Sequence, residues 1–154
     1  MGIRHIRTEE DEILRKVSKP VTDMGLRNQL LVRDMFDTMY KANGVGLAGP
    51  QVGILKRLFV IDCGDRPLVF VNPEILSREG SQTDEEGCLS LPGKHATVTR
   101  AEKVTVRAYD RNMQEFTLTA EGLEARCIQH EYDHLDGILY IDKADGPVEK
   151  DSED

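Results

Sequence analysis

The sequence predicts an α+β domain in which mostly antiparallel strands pack around a central C-terminal helix carrying an HExxH motif. Three observations point there: short β-branched runs in the middle of the chain, a strictly alternating stretch from Val104, and apolar residues at helical spacing near both ends. Few strands, joined by short turns and not interleaved with helices, argue against a doubly wound sheet. At 154 residues, 39% of them hydrophobic, the chain is sized for one domain with a continuous core. That domain is expected over 1–146. Residues 147–154 form an acidic tail, ending Glu149-Lys150-Asp151-Ser152-Glu153-Asp154, too poor in apolar residues to be held and expected to be disordered.

Taken in order, Glu10 to Val17 predicts a short helix closed by Ser18-Lys19-Pro20. Thr22 or Asp23 can cap a second helix from about Gly25 to Ala42, whose Leu26, Leu30, Leu31, Met35, Met39 and Tyr40 recur at helical spacing. Asn43-Gly44 ends it. Leu58 to Ile61 and Leu68 to Val71 read as strands, the second broken by Asn72-Pro73. Val98 to Tyr109 reads as a strand, with Val104, Val106 and Ala108 on one face. Asp110 to Gln114 then makes a hairpin loop, with Asn112 at the left-handed position, returning through Phe116 and Leu118. The last helix runs from about Glu121 to Leu135, apolar on both faces and therefore buried, with Gly137 as its stop.

Composition narrows the function. No apolar run after Met1 suits a signal peptide, and none approaches the roughly 20 residues of a membrane span. Three cysteines, Cys63, Cys88 and Cys127, form an odd set without disulfide spacing, which predicts a reducing, cytoplasmic setting. A net charge of −8 disfavours a nucleic-acid groove.

The chemistry concentrates in His130-Glu131-Tyr132-Asp133-His134. Histidines four apart lie about 6 Å apart along a helix axis on nearly one face, so both can reach one ion. Glu131, rotated by about 100°, stands beside that ion, where it can take a proton from bound water. A solvated His/Glu pair on a surface helix would look the same, but a helix apolar on both faces speaks against it. A third ligand is needed. Cys127 lies about 10.5 Å along the axis from His134, too far for bonds of about 2.0–2.3 Å, and reads as a core residue behind the site. Cys63, closing a strand, reads as packing. Extended zinc-protease patterns also fail: Tyr140 stands where one class needs a further ligand, and the only downstream glutamates, Glu149 and Glu153, lie in the tail.

Upstream, Cys88 in Glu85-Glu86-Gly87-Cys88-Leu89-Ser90 would complete a Cys-His-His set with a fourth position open, although by itself it is also what a buried Cys in a turn looks like. The Leu89 N–H could then point at an oxyanion. Gly44 to Gly53 is dense in small residues but lacks the Lys-Ser/Thr ending of a phosphate loop. Close backbone approach is its better use, with the Gln51 amide as a donor to an anion.

Together, GVGLAGPQ (44–51), EGCLS (86–90) and QHEYDH (129–134) resemble the peptide deformylases in order and approximate spacing, over roughly the first helix to Tyr140. The resemblance implies one catalytic domain that removes the N-formyl group from the formylmethionine of nascent proteins, by attack of a metal-bound hydroxide on the formyl carbon. It implies one divalent metal ion, natively Fe2+ in most members, with Zn2+, Ni2+ or Co2+ as substitutes. Cys88, His130 and His134 match the ligands and Glu131 the acid/base. Gln51 and the Leu89 N–H match the oxyanion stabilisers, and the Gly46 backbone matches a substrate contact. The methionine pocket is expected to include Val45, Leu123 and Cys127, with the peptide adding as a strand near residues 44–46.

Some features depart from the family. Gly49 replaces a usual Ala, and Arg126 stands beside the pocket where some relatives are apolar. Glu86 and Arg100 are a candidate ion pair fixing the Cys88 loop. Many relatives continue into a long basic helix that in some docks on the ribosome; the acidic tail here makes stable docking by that route unexpected and leaves transient contact. A different hydrolase on the same fold is the second reading. A non-catalytic metal-stabilised module is the third, disfavoured by Glu131 and Gln51 beside an open coordination position.

Overall fold

The run Leu58-Phe59-Val60-Ile61 has no exposed side chain, so its strand must be covered on both faces. The structure, a computed structural model, describes residues 2–151. In chain order its elements are α1 (Leu26–Lys41), β1 (Gly46–Ala48), β2 (Leu58–Asp62), β3 (Pro67–Glu79), β4 (Gln82–Cys88), β5 (Leu91–Arg100), β6 (Lys103–Tyr109), β7 (Glu115–Glu121), α2 (Gly122–Leu135) and β8 (Glu149–Lys150). A five-stranded antiparallel sheet has the order β1-β2-β3-β6-β7, and a second sheet has the order β4-β5-β8. Strand alternation sends Leu58 and Val60 to the α1 side, against Leu31, Met35 and Met39. Phe59 and Ile61 go to the α2 side, with Phe70, Val106 and Ile128. The α+β expectation holds, and α2 is buried along most of its length from Ala125 to Leu135.

Several boundaries differ from the sequence reading, each for a local reason. The first predicted helix is a single 3-10 turn, Glu12–Arg15, capped by Asp11. Neither Thr22 nor Asp23 caps α1; Gly25 does so without a side chain, while the Asp23 carboxylate accepts from the Gly25 N–H. Asn72-Pro73 does not end β3. It makes a bulge with Asn72 at φ 49°, its amide bonded to both Val21 backbone groups, which is how a proline is tolerated there. The Val98–Tyr109 stretch divides into β5 and β6 around Ala101-Glu102. In the 110–114 loop Met113, not Asn112, has positive φ, because Asp110 accepts from the Asn112 and Gln114 N–H groups and puts the left-handed residue after the turn.

The tail expected to fray from residue 147 instead pairs through β8 with Lys94 and His95 of β5. The His95 ring lies between the carboxylates of Glu149 and Asp151, both 3.0 Å away, so acidic composition here supplies partners to a histidine. Ser152 to Asp154 lie outside the described residues. Among the described residues, no helix is long and apolar enough to cross a membrane.

Gly137 stops α2 as expected, at φ 75°, where an added Cβ would also meet the Arg15 carbonyl oxygen at 2.5 Å. Gly137→Ala is therefore expected to cost about 2 kcal/mol or more in urea unfolding; wild-type stability would show that this contact is not a constraint.

Candidate metal centre

Two elements deliver the candidate ligands. On α2, the imidazole rings of His130 and His134 have centroids 5.0 Å apart at 64°. From the other sheet comes Cys88, where the β4–β5 register breaks between Glu86 and Cys88, a bulge that redirects the side chain. Its Sγ lies 3.4 Å from His134 Nε2. One donor atom each from Cys88, His130 and His134 falls within 4.8 Å of the others. Tetrahedral bonds of about 2.0–2.3 Å place an S and an N donor roughly 3.5 Å apart. The spacing fits an ion. One further atom supports the fit: among the described residues, Glu131 Oε1 is buried without a partner. Cys127 is outside the donor group, as helix geometry required, and Tyr140 packs its ring 6.0 Å from that of His130.

Behind the ligands lies a buried charged cluster. The His130 Nδ1 is 2.8 Å from Glu86 Oε1, which leaves Nε2 facing the site. Arg100 donates to both Glu86 oxygens, at 2.5 and 3.0 Å, and also to Asp133 at 3.0 Å. Arg126 donates to Glu86 Oε2 from the helix, and Lys143 meets Asp133 at 3.0 Å. The expected Glu86–Arg100 pair is thus present, inside a larger set. Burial alone would raise the Glu86 carboxyl, but hydrogen bonds from His130 and Arg100 outweigh it and bring it to about 2. Burial lowers the His134 imidazole well below its ordinary value, reinforced by charge on His130, so it stays neutral and able to ligate. Burial opposes charge on His130 too, yet Cys88 and Glu86 on its two sides raise it well above the ordinary range. For Glu131 burial dominates and pushes the carboxyl up to about 7, with Glu86 adding and His130 opposing.

The site opens into a cleft of about 480 Å³. Val45, Gly46, Leu123 and Cys127 all line it, together with Gln51, Leu89, Cys88, His130 and Glu131. Val45 and Leu123 stand at its mouth, 44% and 56% exposed. The glycine loop works by close approach. A Cβ on Gly46 would meet Glu131 Oε2 at 2.6 Å, and one on Gly44 would meet the Leu89 side chain at 2.6 Å. The Gln51 amide is fixed: Oε1 accepts from Ala48 N–H at 2.9 Å, while Nε2 donates to Ser90 Oγ at 3.1 Å and to Cys88 Sγ at 3.5 Å.

The sequence profile of the polypeptide deformylase family matches residues 3–150. The chain belongs to this family. Peptide deformylase 1 of Clostridium perfringens is 60% identical over 144 residues, covering 92% of this chain and 98% of the relative. A crystal structure of a peptide deformylase from Legionella pneumophila superposes with a TM-score of 0.90 at 53% identity, covering 92% of this chain and 86% of the other. One from Thermotoga maritima gives 0.93 at 39% identity, covering 95% and 100%. Deformylases are metalloenzymes that remove the N-formyl group from nascent peptides, and this chain is a deformylase.

Three features of the site were not anticipated from sequence. Arg126 lines the cleft, as expected of a neighbour of the pocket, but that its guanidinium pairs with Glu86 was not foreseen. It lies four residues before His130 on one helix face, a spacing that could have tied both to one acceptor. Asp133 and Ser90 gave no signal, because their partners Arg100 and Gln51 lie 33 and 39 residues away. Glu86→Gln keeps the shape and removes the charge that both arginines face. It is expected to cost about 3 kcal/mol of stability and about 10–100-fold in metal affinity, read by urea unfolding and chelator competition. Unchanged values in both would refute the role given to this cluster.

Proposed function

We propose that Cys88, His130 and His134 hold one divalent ion, Fe2+ natively, with Zn2+, Ni2+ or Co2+ able to replace it. What carries this reading is the three donor atoms at ion spacing beside the buried, unpartnered carboxylate oxygen of Glu131. A Cys-His-His set suits both iron and zinc, so availability selects between them. When bound, the ion supplies Lewis-acid activation of water and of the formyl oxygen.

The chain's own groups do the rest. Glu131 accepts a proton from the attacking water and returns it to the leaving amine, so that a formyl amide and water become formate and a free amine. Gln51 Nε2 and the Leu89 N–H stabilise negative charge on the formyl oxygen. Ala48 and Ser90 hold the Gln51 amide in place, and the Nε2 hydrogen that faces Cys88 Sγ in the free protein is the one that turns to the formyl oxygen. Val45, Leu123 and Cys127 receive the methionine side chain, and the Gly46 backbone contacts the peptide. Among the described residues β1 pairs only with β2, and β4 only with β5, so each has an open edge. Both border the cleft, and the peptide adds as a strand there. The enzyme works in the cytoplasm on formylmethionyl nascent chains; a net charge of −8 favours transient over stable contact with the ribosome.

Protein prepared without oxygen should deformylate a formyl-methionyl peptide with one ion per chain; no turnover at full metal content would remove this reading. Glu131→Gln should keep the metal and lose turnover by about 10²–10⁴-fold, whereas full activity would refute its acid/base role. Gly46→Ala should also retain metal but lower turnover at least about tenfold, since its Cβ occupies the place of the Glu131 carboxylate.

A further inference from the structure

Cys63 and Cys127 take no part in the chemistry above, yet their sulfurs are 3.1 Å apart. That is only about 1 Å longer than a disulfide bond. Cys63 follows the end of β2 and is half-buried; Cys127 sits on α2 in the wall of the cleft, 6% exposed. The sheet and the helix pack directly against each other, so their backbones are already close. Cys88 makes its own contacts with Gln51 and His134. No third donor joins Cys63 and Cys127 in a metal-binding group among the described residues.

We infer that Cys63 and Cys127 form a reversible disulfide site, tying the end of β2 to α2 in the wall of the cleft, with a small-molecule disulfide as oxidant. The sequence reading of both as packing residues is incomplete on this view. Cys63, the more accessible sulfur, attacks one sulfur of the reagent as thiolate, forming a mixed disulfide and releasing one reagent thiolate. Cys127, as thiolate, attacks the Cys63 sulfur and releases the second. Two protein thiols are oxidised, one small disulfide is reduced to two thiols, and the protein's two protons pass to solvent or to the released thiolates. The contact between the two sulfurs lowers the Cys63 thiol, while the same contact and burial raise that of Cys127, in keeping with Cys63 attacking first and Cys127 losing its proton only as it displaces the second reagent thiolate. Closing a connection between residues 64 apart, the link joins segments that the fold alone now holds together.

The test treats the metal-loaded protein with oxidised glutathione without oxygen, alkylates it, and maps peptides without reductant. The expected result is a peptide pair linked through Cys63 and Cys127 in most molecules, unchanged metal content, and full reversal by dithiothreitol. Cys63→Ser should lose the link, with a circular dichroism spectrum like that of the wild type. Glutathione retained on either cysteine with no internal link, a link to Cys88, or no loss of free thiol would each overturn the inference.

Discussion

One buried carboxylate, Glu86, joins the two halves of the site. It lies on β4 two residues before Cys88, and it meets His130 and Arg126 from α2 and Arg100 from β5. Ionised carboxylates are costly to bury unless paired and fully hydrogen-bonded, so this group is stable only when all three elements are in register. The same condition sets the Cys88 sulfur opposite the two imidazoles. Positioning of the candidate ligands and satisfaction of a buried charge are thus one constraint, and the rest of the cleft is built around it.

α2 carries the other half of that constraint. Because β2 is covered on both faces, α2 must lie against the sheet with nearly every residue buried, and His130, Glu131 and His134 go inside with it. Burial then does chemical work. It keeps His134 neutral and raises the Glu131 carboxyl, and the close approach of Gly46 leaves that carboxylate room beside the cleft. A surface helix with the same five residues would have none of these properties.

Much of this was legible in the chain. Helix periodicity places His130 and His134 on one face, helix rise excludes Cys127, and density in glycine predicts close approach at residues 44–49. The rest depended on long-range pairing that no local pattern encodes. That Arg126 turns toward Glu86 follows from how β4 meets α2. The bulge at Asn72-Pro73 looked like a strand end because proline lacks a donor, and only the contact of Asn72 with Val21 shows why the strand continues. Likewise, β8 was hidden by acidic composition, since the histidine that offsets it lies 54 residues earlier.

The central claim is that one ion sits among one sulfur and two imidazoles. X-ray absorption on protein loaded with a single equivalent of Fe2+ or Co2+ under argon tests it most directly. The account predicts one sulfur at about 2.3 Å and two imidazole nitrogens at about 2.0–2.1 Å, with the remaining coordination supplied by oxygen. A spectrum with no sulfur shell, or with two sulfurs, would contradict it.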